Sequence, residues 1–193
     1  MIRRTLLAVL APALVLTLAL PTASGMGKRP KKNQLTFHIE SDVSDGPKMV
    51  FPLQMGNKKR FFQKTPVTFN REITSLKHFP AEDGTYGATF TFSKAARTRI
   101  AAFTNQNQGK WIVAMLNGRA VDGVYIDAAV TDGRLVIWQG IKQVEIIRFE
   151  YALPLTGENQ KEWKKRIKGH NKQRKEAIKA AKEAQKERNR RKS

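Results

Sequence analysis

The chain has 193 residues, 40% of them hydrophobic, and sets 36 Lys and Arg against 16 Asp and Glu for a formal net charge of +20. It has no cysteine, which excludes disulfides, thiolate catalysis, cysteine-ligated metal and an acylated lipoprotein anchor. The charge is uneven: residues 156–193 carry 15 basic and 5 acidic side chains, whereas residues 33–155 carry 15 and 11, so basicity bears on the partners of the flanks and not of the body.

In chain order, Arg3 and Arg4 precede an apolar stretch from Leu6 to Leu20, and small residues follow to Gly25. This pattern predicts a cleaved export signal over residues 1–25, and hence a periplasmic or secreted protein. Fifteen residues reach roughly 22 Å as a helix, short of a hydrocarbon core of roughly 30 Å. A retained membrane anchor is the competing reading. Lys28-Arg29-Pro30-Lys31-Lys32 makes residues 26–32 a basic linker.

Residues 33–155 have the size and turn spacing of one domain. Leu35, Phe37 and Ile39 alternate with polar residues as a half-buried strand, and residues 41–47 read as a loop. Met49, Phe51, Leu53 and Met55 alternate again, and Pro52 places that strand at an edge or near a bulge. Gly56-Asn57 turns into a short strand over Lys58–Gln63. Residues 71–79 are ambiguous, because Ile73, Leu76 and Phe79 recur at a spacing of three. Ala88, Phe90 and Phe92 mark a strand, Ser93 a helix N-cap, and Ala96, Ile100 and Phe103 one helical face that ends before Gly109. Trp111 to Leu116 is apolar on both faces, which suits a central strand, and Asn117-Gly118 supplies a type I′ turn. Asp122-Gly123 and Asp132-Gly133 predict bends, and Leu135 to Trp138 another strand. Ile141 to Phe149 suits a strand by β-branching and a helix by the spacing of Val144, Ile147 and Tyr151. The fold class is α+β: one two-layer domain, with a mixed or antiparallel sheet and one or two packed helices.

Residues 156–193 change character, being rich in Lys, Glu, Ala and Gln, with Trp163, Ile167 and Ile178 as the large apolar residues. This predicts a solvated helix that frays to disorder, with i,i+4 pairs Glu162–Arg166 and Glu187–Arg191. Lys164, Lys165, Arg166, Lys168, Lys172, Arg174 and Lys175 are candidate contacts for an anionic polymer or surface. Base stacking is not supported, since Trp163 is the one aromatic among them.

His38, His78 and His170 lie far apart without metal-ligand spacing, and four Asp-Gly pairs are explained by turn chemistry. No nucleophile elbow, phosphate loop or dinucleotide fingerprint is present. The expectation is a non-enzyme without cofactor or metal.

Thr89-Phe90-Thr91-Phe92-Ser93, Thr104-Asn105-Gln106-Asn107-Gln108-Gly109-Lys110, the strand Val113 to Leu116 ending in Asn117-Gly118, and Ile137-Trp138-Gln139-Gly140 form a series. Together with Phe62-Gln63-Lys64-Thr65-Pro66-Val67, it resembles the head subdomain of the large periplasmic domain of SecD, the Sec translocon accessory subunit. The resemblance runs from about Phe61 to Leu155. Asn117 stands where that family has Asp, and Gly123-Val124 where it has Ala-Pro. SecD-like proteins span the membrane and use intramembrane carboxylates, which this chain lacks after residue 25. The resemblance thus implies a non-catalytic module that binds an extended polypeptide or an envelope protein, linked to protein export or envelope protein handling. A strand edge at Met49, Phe51, Leu53 and Met55 would take up such a peptide. The alternative is a polyanion-binding envelope protein acting through its basic tail.

Overall fold

The computed structural model describes residues 32–46 and 48–190. The expected signal over residues 1–25, the linker apart from Lys32, and tail residues Arg191 and Lys192 lie outside the described residues.

Three sheets and three helices make up the described chain, in keeping with the α+β class. The first sheet contains β1 (Leu35–Ile39), β4 (Thr68–Phe69), β7 (Trp111–Leu116) and β8 (Arg119–Tyr125) in the order β4-β1-β7-β8. The second contains β5 (Ile73–Pro80), β6 (Tyr86–Phe92) and β9 (Arg134–Ile141) in the order β5-β6-β9. The third is a hairpin of β2 (Val50–Met55) and β3 (Lys58–Gln63). All their ladders are antiparallel. The helices are α1 (Lys94–Gln106), α2 (Gln143–Ala152) and α3 (Gln160–Arg190). Among the described residues, no helix is long and apolar enough to cross a membrane.

The main core gathers the inner faces of the two larger sheets with α1 and α2. Leu35, Phe37 and Ile39 of β1 join Ala88, Phe90 and Phe92 of β6, Ile100 of α1 and Phe149 of α2 in one buried cluster. Edge-to-face ring contacts fasten it, Phe37 to Phe92 at 6.0 Å and Phe90 to Phe149 at 5.1 Å. The central position of β7 holds, with Ile112 and Ala114 in that cluster and Val113 buried on the opposite face. There the β2–β3 hairpin covers the sheet. The His38 ring meets Phe51 at 5.3 Å, and its Nδ1 lies 2.8 Å from the Gln63 carbonyl.

Local chemistry explains the boundaries. The Ser93 hydroxyl accepts from the Ala96 N–H and caps α1. Asn117 and Gly118, at φ 53° and 83°, make the tight turn between β7 and β8. The spacing of three that made residues 71–79 ambiguous is a β-bulge: an extra residue between Ile73 and Ser75 restores Leu76 to the inner face of β5. Residues 143–152 are helix, but the spacing pointed to the wrong face. Ile146 and Phe149 are buried, whereas Val144 and Ile147 face water. Buried Glu145 fixes this orientation by accepting from the Lys142 N–H at 2.9 Å, Asn117 Nδ2 at 3.0 Å and Arg119 at 2.6 Å.

Contacts with the body continue past Leu155. The Thr156 N–H donates to the Leu76 carbonyl at 2.9 Å, and α3 is capped reciprocally by Asn159 and Glu162. Neither expected tail pair is the one that governs its placement. Glu162 serves the cap, Arg191 is outside the described residues, and Arg166 turns back to Glu158.

Candidate functional site

The bend expected at Asp122-Gly123 is instead a bulge inside β8. Ala114 pairs with Asp122 but Met115 pairs with Ala120, which leaves Val121 as the extra residue. Gly123 lies under the hairpin, where a Cβ would come within 2.5 Å of Met55 Cε and the flexible end of that side chain would have to move aside. The bulge re-aims the Asp122 carboxylate across a sheet boundary. One oxygen accepts the Gly123 N–H at 2.8 Å and the other accepts the Trp138 N–H of β9 at 2.6 Å. Nearby, Arg119 donates to the Gly140 carbonyl at 2.8 Å, and a Cβ on Gly140 would lie 2.6 Å from the Val121 carbonyl oxygen. Side chains therefore pin the edges of two sheets together at one end, without a ladder joining them.

Beside that pin, β8 and β9 enclose a cavity of about 180 Å³. Its apolar lining includes Phe37, Ile112, Ala114, Val124 and Leu135, and its polar lining includes Asp122, Asp127 and Arg134. Tyr125 and Trp138, 49% and 60% exposed, stand at its rim. The volume is below that of sites for drug-sized ligands and fits a side chain. The loop over residues 126–133 that closes one end is held by α1: buried Thr104 accepts the Val130 N–H at 2.8 Å, and Arg97 donates to the Thr131 carbonyl at 2.6 Å.

The backbone of the crevice is open. The Ile126 N–H bonds back to Lys110 of the β7 side, so by alternation Tyr125 turns its N–H and carbonyl away from β7 toward β9. The Trp138 N–H points to Asp122 and away from β6, and two residues earlier Val136 presents its backbone groups in the same direction. Two facing strand edges thus flank an apolar cavity.

The four residues expected to form a peptide-binding edge lie elsewhere. Met49 is 57% exposed, but Phe51 meets His38 edge to face and Met55 lies against Gly123. Phe51, Leu53 and Met55 are each half-buried on the body side of β2. The ladder phase is set by the Lys64 N–H, which donates to the Met49 carbonyl. It turns the nitrogen of Pro52 to the outer edge, where a proline has no hydrogen to give. That edge lacks a donor at its centre, and its apolar side chains serve the fold.

The seven expected tail cations divide. Lys164, Lys165, Lys168, Lys172 and Lys175 line one open groove of about 870 Å³ with Tyr151, Trp163 and Ile167. Arg174 is exposed on α3 outside that lining. Arg166 is corrected to an internal clamp. Its guanidinium gives two bonds to Glu158, at 2.8 and 2.7 Å, and two to the carbonyls of Glu150 and Leu153, at 3.1 and 3.3 Å. Those bonds from Arg166 hold the Glu158 carboxyl down at about 2. Burial lowers His38 below its ordinary value, and Thr36 and Gln63 hold its two ring nitrogens. Among the described residues, no three His, Cys, Asp or Glu gather to hold a metal.

Sequence reasoning did not find Tyr125, Val136 and Trp138. The signal was present at Trp138, whose alternation with Leu135 and Ile137 puts a large aromatic on the outer face of a strand.

No family model matches the chain, and no curated protein matches it. Two solved structures of SecDF are similar to it. One, described as a membrane component that enhances protein export, is 19% identical with a TM-score of 0.42, over 60% of this chain and 58% of that one. The other, SecDF in a super-membrane-facing form, is 19% identical with a TM-score of 0.41, over 58% of this chain and 17% of that one. The chain therefore spans less than two thirds of either structure it matches.

Proposed function

We propose that this chain is an exported, non-catalytic module that binds an extended polypeptide, with a place in protein export or envelope protein handling. The observation that carries the reading is the crevice between β8 and β9. Its open backbone groups at Tyr125 and Val136 suit the main chain of an added strand, and its apolar cavity suits one side chain of that strand. Tyr125 and Trp138 supply rigid aromatic surface at the rim, where such residues dominate binding energy. Main-chain bonds give affinity with little dependence on sequence, as a handler of unfolded chains requires. The resemblance of its motifs to those of the SecD head is in keeping with a polypeptide ligand.

Calorimetric titration with a ten-residue peptide alternating Leu and Thr tests this. Trp138→Ala lowers the affinity by about 10- to 100-fold, the range of an interface hot spot, and costs about 0.5–1.5 kcal/mol of stability through the lost ring contact with Phe79 at 6.1 Å, too little to unfold the chain. Equal affinity in the wild type and the variant, or no binding by the wild type, refutes the crevice as the site.

A further inference from the structure

Helix α3 segregates its charge around the axis. It carries 13 basic and 4 acidic side chains. Lys161, Lys164, Lys168, Lys172, Lys175 and Lys179 recur every three or four residues, and Lys182 and Lys186 extend the row. At about 100° per residue these eight lie within an arc of about 80°, and every one is exposed. Glu162, Glu176, Glu183 and Glu187 fall together beyond one border of that arc. Trp163, Ile167 and Ile178 fall beyond the other. The row extends along a helix of 31 residues, about 46 Å.

Apolar surface adjoins this row where α3 meets the body. Val144 and Ile147 of α2 are 50% and 43% exposed, and Tyr151, one turn further along the same face, opens onto the groove that also holds Trp163, Ile167 and four lysines of the row, Lys164, Lys168, Lys172 and Lys175. Trp163 Nε1 is buried there without a hydrogen-bond partner. A linear polyanion has no use for exposed Val144 and Ile147 on the face of α2 that carries Tyr151 to the cations. A bilayer interface uses both, taking apolar and aromatic side chains at headgroup level and pairing lysines with lipid phosphates.

From this juxtaposition we infer that the α2–α3 face docks on an anionic lipid bilayer, with the lysine row on the phosphates and Val144, Ile147 and Tyr151 at the headgroup boundary. Co-sedimentation of the full chain with phosphatidylcholine vesicles, with and without 30 mol% phosphatidylglycerol, tests the inference. Binding to the anionic vesicles falls steeply with salt. Replacing Lys172, Lys175, Lys179 and Lys182 by Gln, a good helix former, weakens it by about 10²- to 10³-fold, at roughly fivefold per lysine. Val144→Ser with Ile147→Ser weakens it by about 10-fold. Two results overturn the inference. In one, Gln at Lys58, Lys59, Lys64 and Lys77 of the body has the same effect as Gln in the row. In the other, duplex DNA binds more tightly than anionic vesicles and is indifferent to the Ser pair. Circular dichroism confirms that each variant keeps its helix. Peptide binding at the β8–β9 crevice is measured separately, so failure of one proposal leaves the other standing.

Discussion

Replacing Arg166 by Met isolates the clamp that seats α3. The long apolar side chain keeps the helix propensity and much of the packing, but removes four hydrogen bonds, two of them to the Glu158 carboxylate. Both partners of the ion pair are largely shielded, with side-chain exposures of 18% for Arg166 and 12% for Glu158, so water replaces the lost partner poorly. A hydrogen bond to a charged group contributes about 1.5–3 kcal/mol, and such bonds within one network do not add. The expected cost is therefore about 2–3 kcal/mol, or roughly 30- to 150-fold in the docking equilibrium of the helix. Amide exchange of residues 160–170 is the direct assay: their protection falls by that factor, while amides of β6 and β7 in the core keep theirs. The pH dependence carries the same sign. The folded-state value of Glu158, about 2, lies below its ordinary 4.5, so this contribution is complete above about 4.5 and is lost as the pH falls through about 2. A Glu158→Gln variant lacks this acid limb. Unchanged exchange over residues 160–170 in the Arg166→Met protein refutes the clamp.

Further predictions concern the body. Gly140→Ala, at φ 88°, brings a Cβ within 2.6 Å of the Val121 carbonyl oxygen and costs about 1–3 kcal/mol by overpacking and backbone strain in urea denaturation, whereas Gly123→Ala, whose Cβ meets the flexible end of Met55, costs less; equal stability of the two variants contradicts the close approach of β8 and β9. Phe149→Ala empties a fully buried site against Phe90 and costs about 3–5 kcal/mol, read as a lowered midpoint with an unchanged slope. Burial depresses His38 from 6.5, so its contribution is present above pH 6.5 and lost as the pH falls through the folded-state value; His38→Gln removes that portion of the pH profile of stability.

Elements were legible in the sequence where local pattern and tertiary demand agree. The strand at Leu35–Ile39, the Ser93 cap, the two-faced apolar run at Trp111–Leu116 and the Asn117-Gly118 turn are of this kind, because each state is dictated by its own residues. Bulges broke the reading elsewhere. One extra residue at 73–75 made a strand mimic a helical spacing, and Val121 turned an Asp-Gly pair from a bend into a bridge between sheets. On α2 the spacing of Val144, Ile147 and Tyr151 marks the outer face, because buried Glu145, held by Asn117 and Arg119 from a distant hairpin, orients the helix against that apolar pattern. The crevice was hidden for the same reason, since its walls come from two sheets whose edges meet only in three dimensions. The lysines of the tail were visible by composition. The capture of Arg166 by Glu158 was not, because an i,i+4 partner at Glu162 competed for it on paper.

Backbone amide exchange with and without the alternating Leu-Thr peptide tests peptide capture between β8 and β9 most directly. Slowed exchange at Tyr125 and Val136, with Val50 and Gln54 on the outer edge of β2 unchanged, is the predicted result. Protection that appears on the β2 edge and leaves Tyr125 and Val136 as they were contradicts it.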